Sequence, residues 1–165
     1  MFTPRIAASR TSAATPSESR RILAIDYGRK RIGLALSDDL GMTARPLGTL
    51  IRTNRRDDLR RLRGICREHG VAHIIVGHPV HITGEASEMS DEAARFGARV
   101  KKELGIETEL YDERLTSWEA QQMVSGTDSH SRRKGSLDDV AAAILLRDYL
   151  EHKGSETPAR AAEKA

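Results

Sequence analysis

The sequence predicts an α/β fold: one mixed sheet whose first three strands are antiparallel, with flanking helices. Three observations carry that expectation. Short apolar runs alternate with stretches of helical period. The first three runs lie too close together for helical crossovers, so they pair antiparallel. The later runs are separated by helix-length segments, which calls for parallel crossovers. With 165 residues, 38% hydrophobic and 31% charged, the chain has material for one core under a well-solvated surface. That composition excludes a fibrous or wholly disordered polymer.

Taken in order, Ile22-Leu23-Ala24-Ile25 forms the first strand and stops at Asp26. A polar turn from Tyr27 to Arg31 leads into Ile32-Gly33-Leu34-Ala35-Leu36, and a third strand spans Pro46 to Ile51. Leu59, Leu62 and Cys66 then recur at helical spacing, with Arg56, Arg60, Arg63 and Arg67 on the neighbouring face. His73 to Val76 is the fourth strand, ending in Gly77-His78-Pro79. Ala93, Phe96, Val100 and Leu104 mark the buried stripe of a second helix, which Gly105 terminates. Glu109-Leu110-Tyr111 reads as the fifth strand and runs into Asp112-Glu113-Arg114. Helices over about 116–124 and 137–150 complete the unit, joined by a glycine-, serine- and base-rich connection from Ser125 to Ser136.

The ends differ from the middle. Residues 1–19, rich in Ser, Thr, Ala and Pro, read as a disordered arm without the apolar region of a secretory signal. Residues 153–165 read as a similar tail, which leaves 20–152 as the folded domain. The longest uncharged apolar run, Val140 to Leu146, is too short to span a bilayer. Cys66 is the single cysteine, so no internal disulfide forms. A cytoplasmic protein that does not enter membranes is expected.

Net charge is a mild +3, but its distribution is uneven. Arginines 52, 55, 56, 60, 61, 63 and 67 face only Asp57 and Asp58 over that stretch, a stripe suited either to phosphates or to simple solvation. Three acids stand at element ends: Asp26 after the first strand, Glu113 after the last, and Asp138 at the start of the last helix. Asp138 shares a helix face with Ala141, Ala142 and Leu145, and the alanines allow close approach to the sheet. In an open α/β sheet, sites form at the carboxyl ends of strands. Three converging carboxylates need a counter-charge, which Mg²⁺ or Mn²⁺ supplies through oxygen ligands. Two such ions about 3.5–4 Å apart serve phosphodiester hydrolysis. Taken singly, each acid also fits an ordinary structural role.

The stretch from Ile25 to Asp38, IDYGRKRIGLALSD, resembles the opening motif of the YqgF/RuvX family of RNase H-like proteins. Three further blocks resemble its later motifs in the same order: Ile75 to Pro79 with Gly84, Asp112 to Thr116, and Leu137-Asp138 followed by Ala141-Ala142. The resemblance spans about 22–150 and implies an RNase H-like fold. It also implies that Asp26, Glu113 and Asp138 form a catalytic, metal-holding triad, selecting Glu113 over Asp112 and Asp138 over Asp139. His78 departs from the family pattern, as does the segment around His81, and neither is an expected ligand. The family is described both as processing the 5′ end of pre-16S rRNA and as resolving Holliday junctions.

The expectation is therefore a metal-dependent nuclease acting in ribosome biogenesis on structured RNA. A homodimeric resolvase of branched DNA is the alternative. Lys30 and Arg31 in the first turn, Arg56, Arg60, Arg63 and Arg67 on the first helix, and Arg114, Arg132, Arg133 and Lys134 are candidate phosphate contacts. Aromatic residues make up only 4%, so backbone contacts should outweigh base stacking, and Trp118 fits a core role better than a stacking one. A sugar-kinase or actin-like ATPase shares the Asp26-x-Gly28 turn but needs a second domain. A non-catalytic nucleic-acid-binding module would use the arginines and have no need of the acids.

Overall fold

The structure is a computed structural model that describes residues 20–79, 87–113 and 136–156. Its elements follow the expected order: β1 (Arg21–Asp26), β2 (Arg31–Ser37), β3 (Ala44–Ile51), α1 (Arg55–His69), β4 (Val71–His78), α2 (Glu88–Leu104), β5 (Glu107–Asp112) and α3 (Ser136–Glu156). The strands form one sheet in the order β3-β2-β1-β4-β5. β1 pairs antiparallel with β2, and β2 with β3, while β1–β4 and β4–β5 are parallel. This is the RNase H-like mixed sheet that the motifs imply. The arm 1–19, the tail beyond Glu156, the expected helix at 116–124 with Trp118, and the following connection lie outside the described residues.

Side-chain alternation sorts the strands into two faces. On one, Leu23, Ile25, Leu34, Leu36, Ile74 and Val76 pack with Leu59, Leu62 and Cys66 of α1 and Phe96 and Val100 of α2. On the other, Ala24, Ala35, Ile75 and Tyr111 pack with Ala142, Leu145, Leu146 and Tyr149 of α3. α3 lies across β1, β2 and β3, whereas α2 rests on β4 and β5. Both crossover helices carry matched ends. Asn54 accepts from the Asp57 amide at 3.0 Å to open α1, and Ser87 and Ser90 form a capping box at the start of α2. Gly105 closes α2 with φ 68°, where a side chain would be strained.

Two arginines of the basic run turn inward. Arg52 is held by the Asp58 carboxylate at 3.1 Å, the Tyr27 hydroxyl at 3.0 Å and the Gly28 carbonyl at 3.1 Å. Its guanidinium also lies 5.0 Å from the Tyr27 ring centre. Asp58 is 1% exposed, so it needs these partners, and Arg61 and the Thr53 amide complete them at 3.2 Å each. Arg52 and Arg61 therefore tie α1 to the β1–β2 turn instead of facing solvent. α3 also runs to Glu156, beyond the expected end at 150, because its sequence meets no proline before Pro158.

Candidate active site

Strand parity decides which residues can meet at the carboxyl end of the sheet. Ala24 faces α3, so Asp26, two residues on, faces it too. Asp26 pairs with Gly33 of β2, which shares the face of Ala35. On β4, Gly77 follows Ile75 on that face and pairs with Tyr111 of β5. Glu113, two residues past Tyr111, continues the series, whereas Asp112 points to the α1–α2 side. The α3 face thus gathers Asp26, Gly33, Gly77 and Glu113 beneath Asp138, in the first turn of α3.

The two glycines provide the room. A Cβ at Gly33 would overlap the backbone carbonyl of Asp138, so the start of α3 sits directly on β2. A Cβ at Gly77 would collide with Oε1 of Glu113, so the space above β4 belongs to that carboxylate. Ala142 and Leu145 are buried along the same helix face, and Ala141 is half-buried.

Electrostatics reports the convergence. Burial, the Glu113 charge and the Asp138 charge together push the Asp26 carboxyl up to about 7. Glu113 is also raised, first by burial and then by the Asp112 charge. The donors are all hard oxygens at the positive end of a helix, a set chemically suited to a hard divalent cation. Among the described residues, no three His, Cys, Asp or Glu side chains stand close enough together to enclose a metal ion by themselves.

The basic residues fall in two places. Lys30 is exposed in the β1–β2 turn, and Arg31 opens β2 on the face of Gly33, the side of the acids. Arg56, Arg60 and Arg63 instead line a cleft between α1 and α2, on the opposite side of the sheet from the acids. Arg67 is exposed near the end of α1 and outside the lining of that cleft. Arg95, Arg99 and Lys102 of α2 face the same cleft and were not foreseen, although their i, i+4, i+7 spacing was readable. Arg114, Arg132, Arg133, Lys134 and His81 lie outside the described residues. His78 ends β4 on the α1–α2 side by parity, away from Asp26, which removes it from any proton relay there.

A five-stranded sheet of this order, with acids at its carboxyl end beneath the start of the last helix, defines an RNase H-like protein carrying a carboxylate site. The chain belongs to the RuvX family, whose profile, described as "RuvX: Holliday junction resolvase", matches residues 20–152. It is 38% identical over 135 residues to a protein of Koribacter versatilis, covering 81% of this chain and 88% of that one. It is 38% identical over 136 residues to one of Geobacillus kaustophilus, covering 81% and 99%. Both relatives carry the name "Putative pre-16S rRNA nuclease". Among solved structures, RuvC of Thermus thermophilus in complex with a Holliday junction substrate aligns with TM-score 0.48 and 15% identity, covering 81% of this chain and 96% of that one. That score is too low to carry anything over.

Proposed function

We propose that this protein is a nuclease that processes the 5′ end of pre-16S rRNA, using Asp26, Glu113 and Asp138 to hold divalent cations, Mg²⁺ or Mn²⁺. The observation that carries the reading is the meeting of three carboxylates from β1, the end of β5 and α3 on one face, close enough to raise the proton affinity of Asp26. The names of the curated relatives support the choice of RNA substrate. Two bound cations would supply the counter-charge for these acids, activate a water for attack on phosphorus and neutralise the leaving oxygen. Asp26, at the centre of the group, is assigned the bridging position. Glu113 and Asp138 complete the oxygen donors from either side. Gly33 and Gly77 keep the donors in register by letting α3 and Glu113 approach the sheet. Lys30 and Arg31, on the turn that follows Asp26, are assigned to the phosphates flanking the cut.

The family description also favours a second reading, resolution of four-way DNA junctions. Symmetric junction cutting calls for a two-fold dimer, whereas trimming an RNA end does not. A parallel cleavage assay separates the readings: a pre-16S leader RNA and a four-way DNA junction, each with Mg²⁺ or Mn²⁺, with wild type beside Asp26→Asn. Cutting of RNA alone, lost in the variant, supports rRNA processing. Cutting of the junction alone, by a dimer, replaces it with the resolvase. Failure to cut either, with binding that needs no metal, sinks both and leaves a non-catalytic binding module.

A further inference from the structure

On the sheet face turned away from the acids, α1 and α2 enclose an open cleft of about 830 Å³. Arg56, Arg60 and Arg63 line it from α1, and Arg95, Arg99 and Lys102 from α2. Each trio follows i, i+4, i+7, so each forms a single stripe, about 10 Å long at the helical rise of about 1.5 Å per residue. Both helices are crossovers leading into parallel strands, β4 and β5, and therefore run in the same direction. The two stripes lie side by side.

The cleft is heavily one-signed. Glu103 is the single acid lining it, and no aromatic residue does. Arg60 reaches Asp57 at 3.2 Å and Arg63 donates to the Glu103 carbonyl at 2.7 Å, which leaves the excess of positive charge in place. Like charges stacked at i, i+4 repel, an arrangement that a bound polyanion relieves. Without aromatics there is no platform for bases, so the chemistry suits a phosphate backbone recognised independently of sequence.

The cleft also connects towards the acids. Arg55 lines it and lines a second depression as well, together with Arg29, Lys30, Arg52 and Asn54. That depression opens on the β1–β2 turn, which begins at Asp26. A basic path thus leads from the back of the sheet over its carboxyl edge to the acid face.

We propose that the α1–α2 cleft is an exosite holding the phosphate backbone of a helical arm of the RNA substrate, remote from the cut. One folded RNA passes from this cleft over the β1–β2 turn to the acids, so the substrate is a structured RNA and not a short single strand. The identity of the occupant as RNA rests on the nuclease reading above; the affinity of the cleft for phosphates does not.

The test uses the full chain and a fluorescent, helix-containing pre-16S leader RNA in EDTA, so that no cutting intervenes. The triple variant Arg95→Ala/Arg99→Ala/Lys102→Ala should bind at least tenfold more weakly than wild type. Its plot of log affinity against log salt should flatten by about two, as expected for three lost phosphate contacts. A single Arg99→Ala variant, melting at the wild-type temperature, should show a smaller loss in the same direction and guard against misfolding. Unchanged affinity and slope in the triple variant overturn the exosite. Equal or tighter binding of a matched DNA duplex overturns RNA as its occupant. A wild type that binds with the expected slope but cuts neither RNA nor junction in Mg²⁺ supports the cleft and overturns the nuclease reading alone.

Discussion

The two faces of the sheet are packed with residues of different size, and their chemistry follows. Beneath α3 the strands present Ala24, Ala35, Gly33 and Gly77, and the helix answers with Ala142. Small side chains let the helix settle onto the sheet until backbone meets backbone at Gly33. That close approach brings Asp138 within electrostatic reach of Asp26. Beneath α1 and α2 the strands present Leu23, Ile25, Leu34, Leu36 and Ile74, each worth about 1.5–3 kcal/mol on full burial. These hold the crossover helices to the sheet by bulk, and the helices leave between them an open, base-lined cleft. The α3 side concentrates negative charge in a tight space, and the α1–α2 side spreads positive charge over an open one. The contrast is what a nuclease needs, cations held at the cutting point and a phosphate backbone held elsewhere.

The largest test of that contrast is Asp26→Asn. Cleavage should fall by on the order of a thousandfold or more, since several kcal/mol of charge stabilisation depend on this carboxylate. RNA binding in EDTA should be retained. Undiminished turnover would remove the acid face from the chemistry.

Next in size, Asp58→Ala acts on the other side. It leaves Arg52, 20% exposed, without its buried carboxylate and should cost about 2–3 kcal/mol in a denaturant titration, below the range for fully buried pairs. Turnover per folded molecule should change only a few-fold. A parallel collapse in turnover would show that the two faces are coupled, through the hold of Arg52 on the Gly28 carbonyl.

Gly33→Ala tests the close packing directly. The added methyl displaces the start of α3 and should lower turnover by about a hundredfold, the effect of a misplacement near 1 Å, with binding to RNA in EDTA little altered. A Gly33→Ala enzyme of wild-type activity would mean that the position of Asp138 does not matter.

A smaller effect concerns pH. Folded Asp26 keeps its proton up to about 7, far above the ordinary carboxylate range. Its contribution to stability is therefore complete below the unfolded value and is lost as pH rises through about 7. Without divalent cations, Asp26→Asn should gain melting temperature over wild type between pH 5 and pH 8. Added Mg²⁺ should narrow the gap by stabilising the ionised wild type. A pH-independent difference would count against a buried, crowded carboxylate. The smallest effect is expected from Arg67→Ala, outside the cleft lining, which should alter RNA affinity less than twofold where Arg60→Ala lowers it several-fold. Equal losses would dissolve the distinction between cleft and surface.

Much of this was legible before any coordinates. Periodicity marked the eight described elements in order, because a period of two or of 3.6 depends only on nearby residues. The short turn from Tyr27 to Arg31 required β1 and β2 to be antiparallel, and strand ends placed Asp26 and Glu113 at edges of the sheet. The basic stripe of α1 could also be read directly, from arginines three and four apart. What stayed hidden was relational. The choice of Glu113 over Asp112 came from family resemblance, and parity along β5 supplies the physical reason. Nothing local marked Arg52 and Arg61 as inward partners of a buried Asp58, or α2 as the second wall of the cleft. The sequence by itself determined which elements form and which charges they carry, since those follow from local spacing and composition. Only the tertiary structure decided which charges meet, because sheet order and helix approach are set by packing between residues up to 112 positions apart, as Asp26 and Asp138 are.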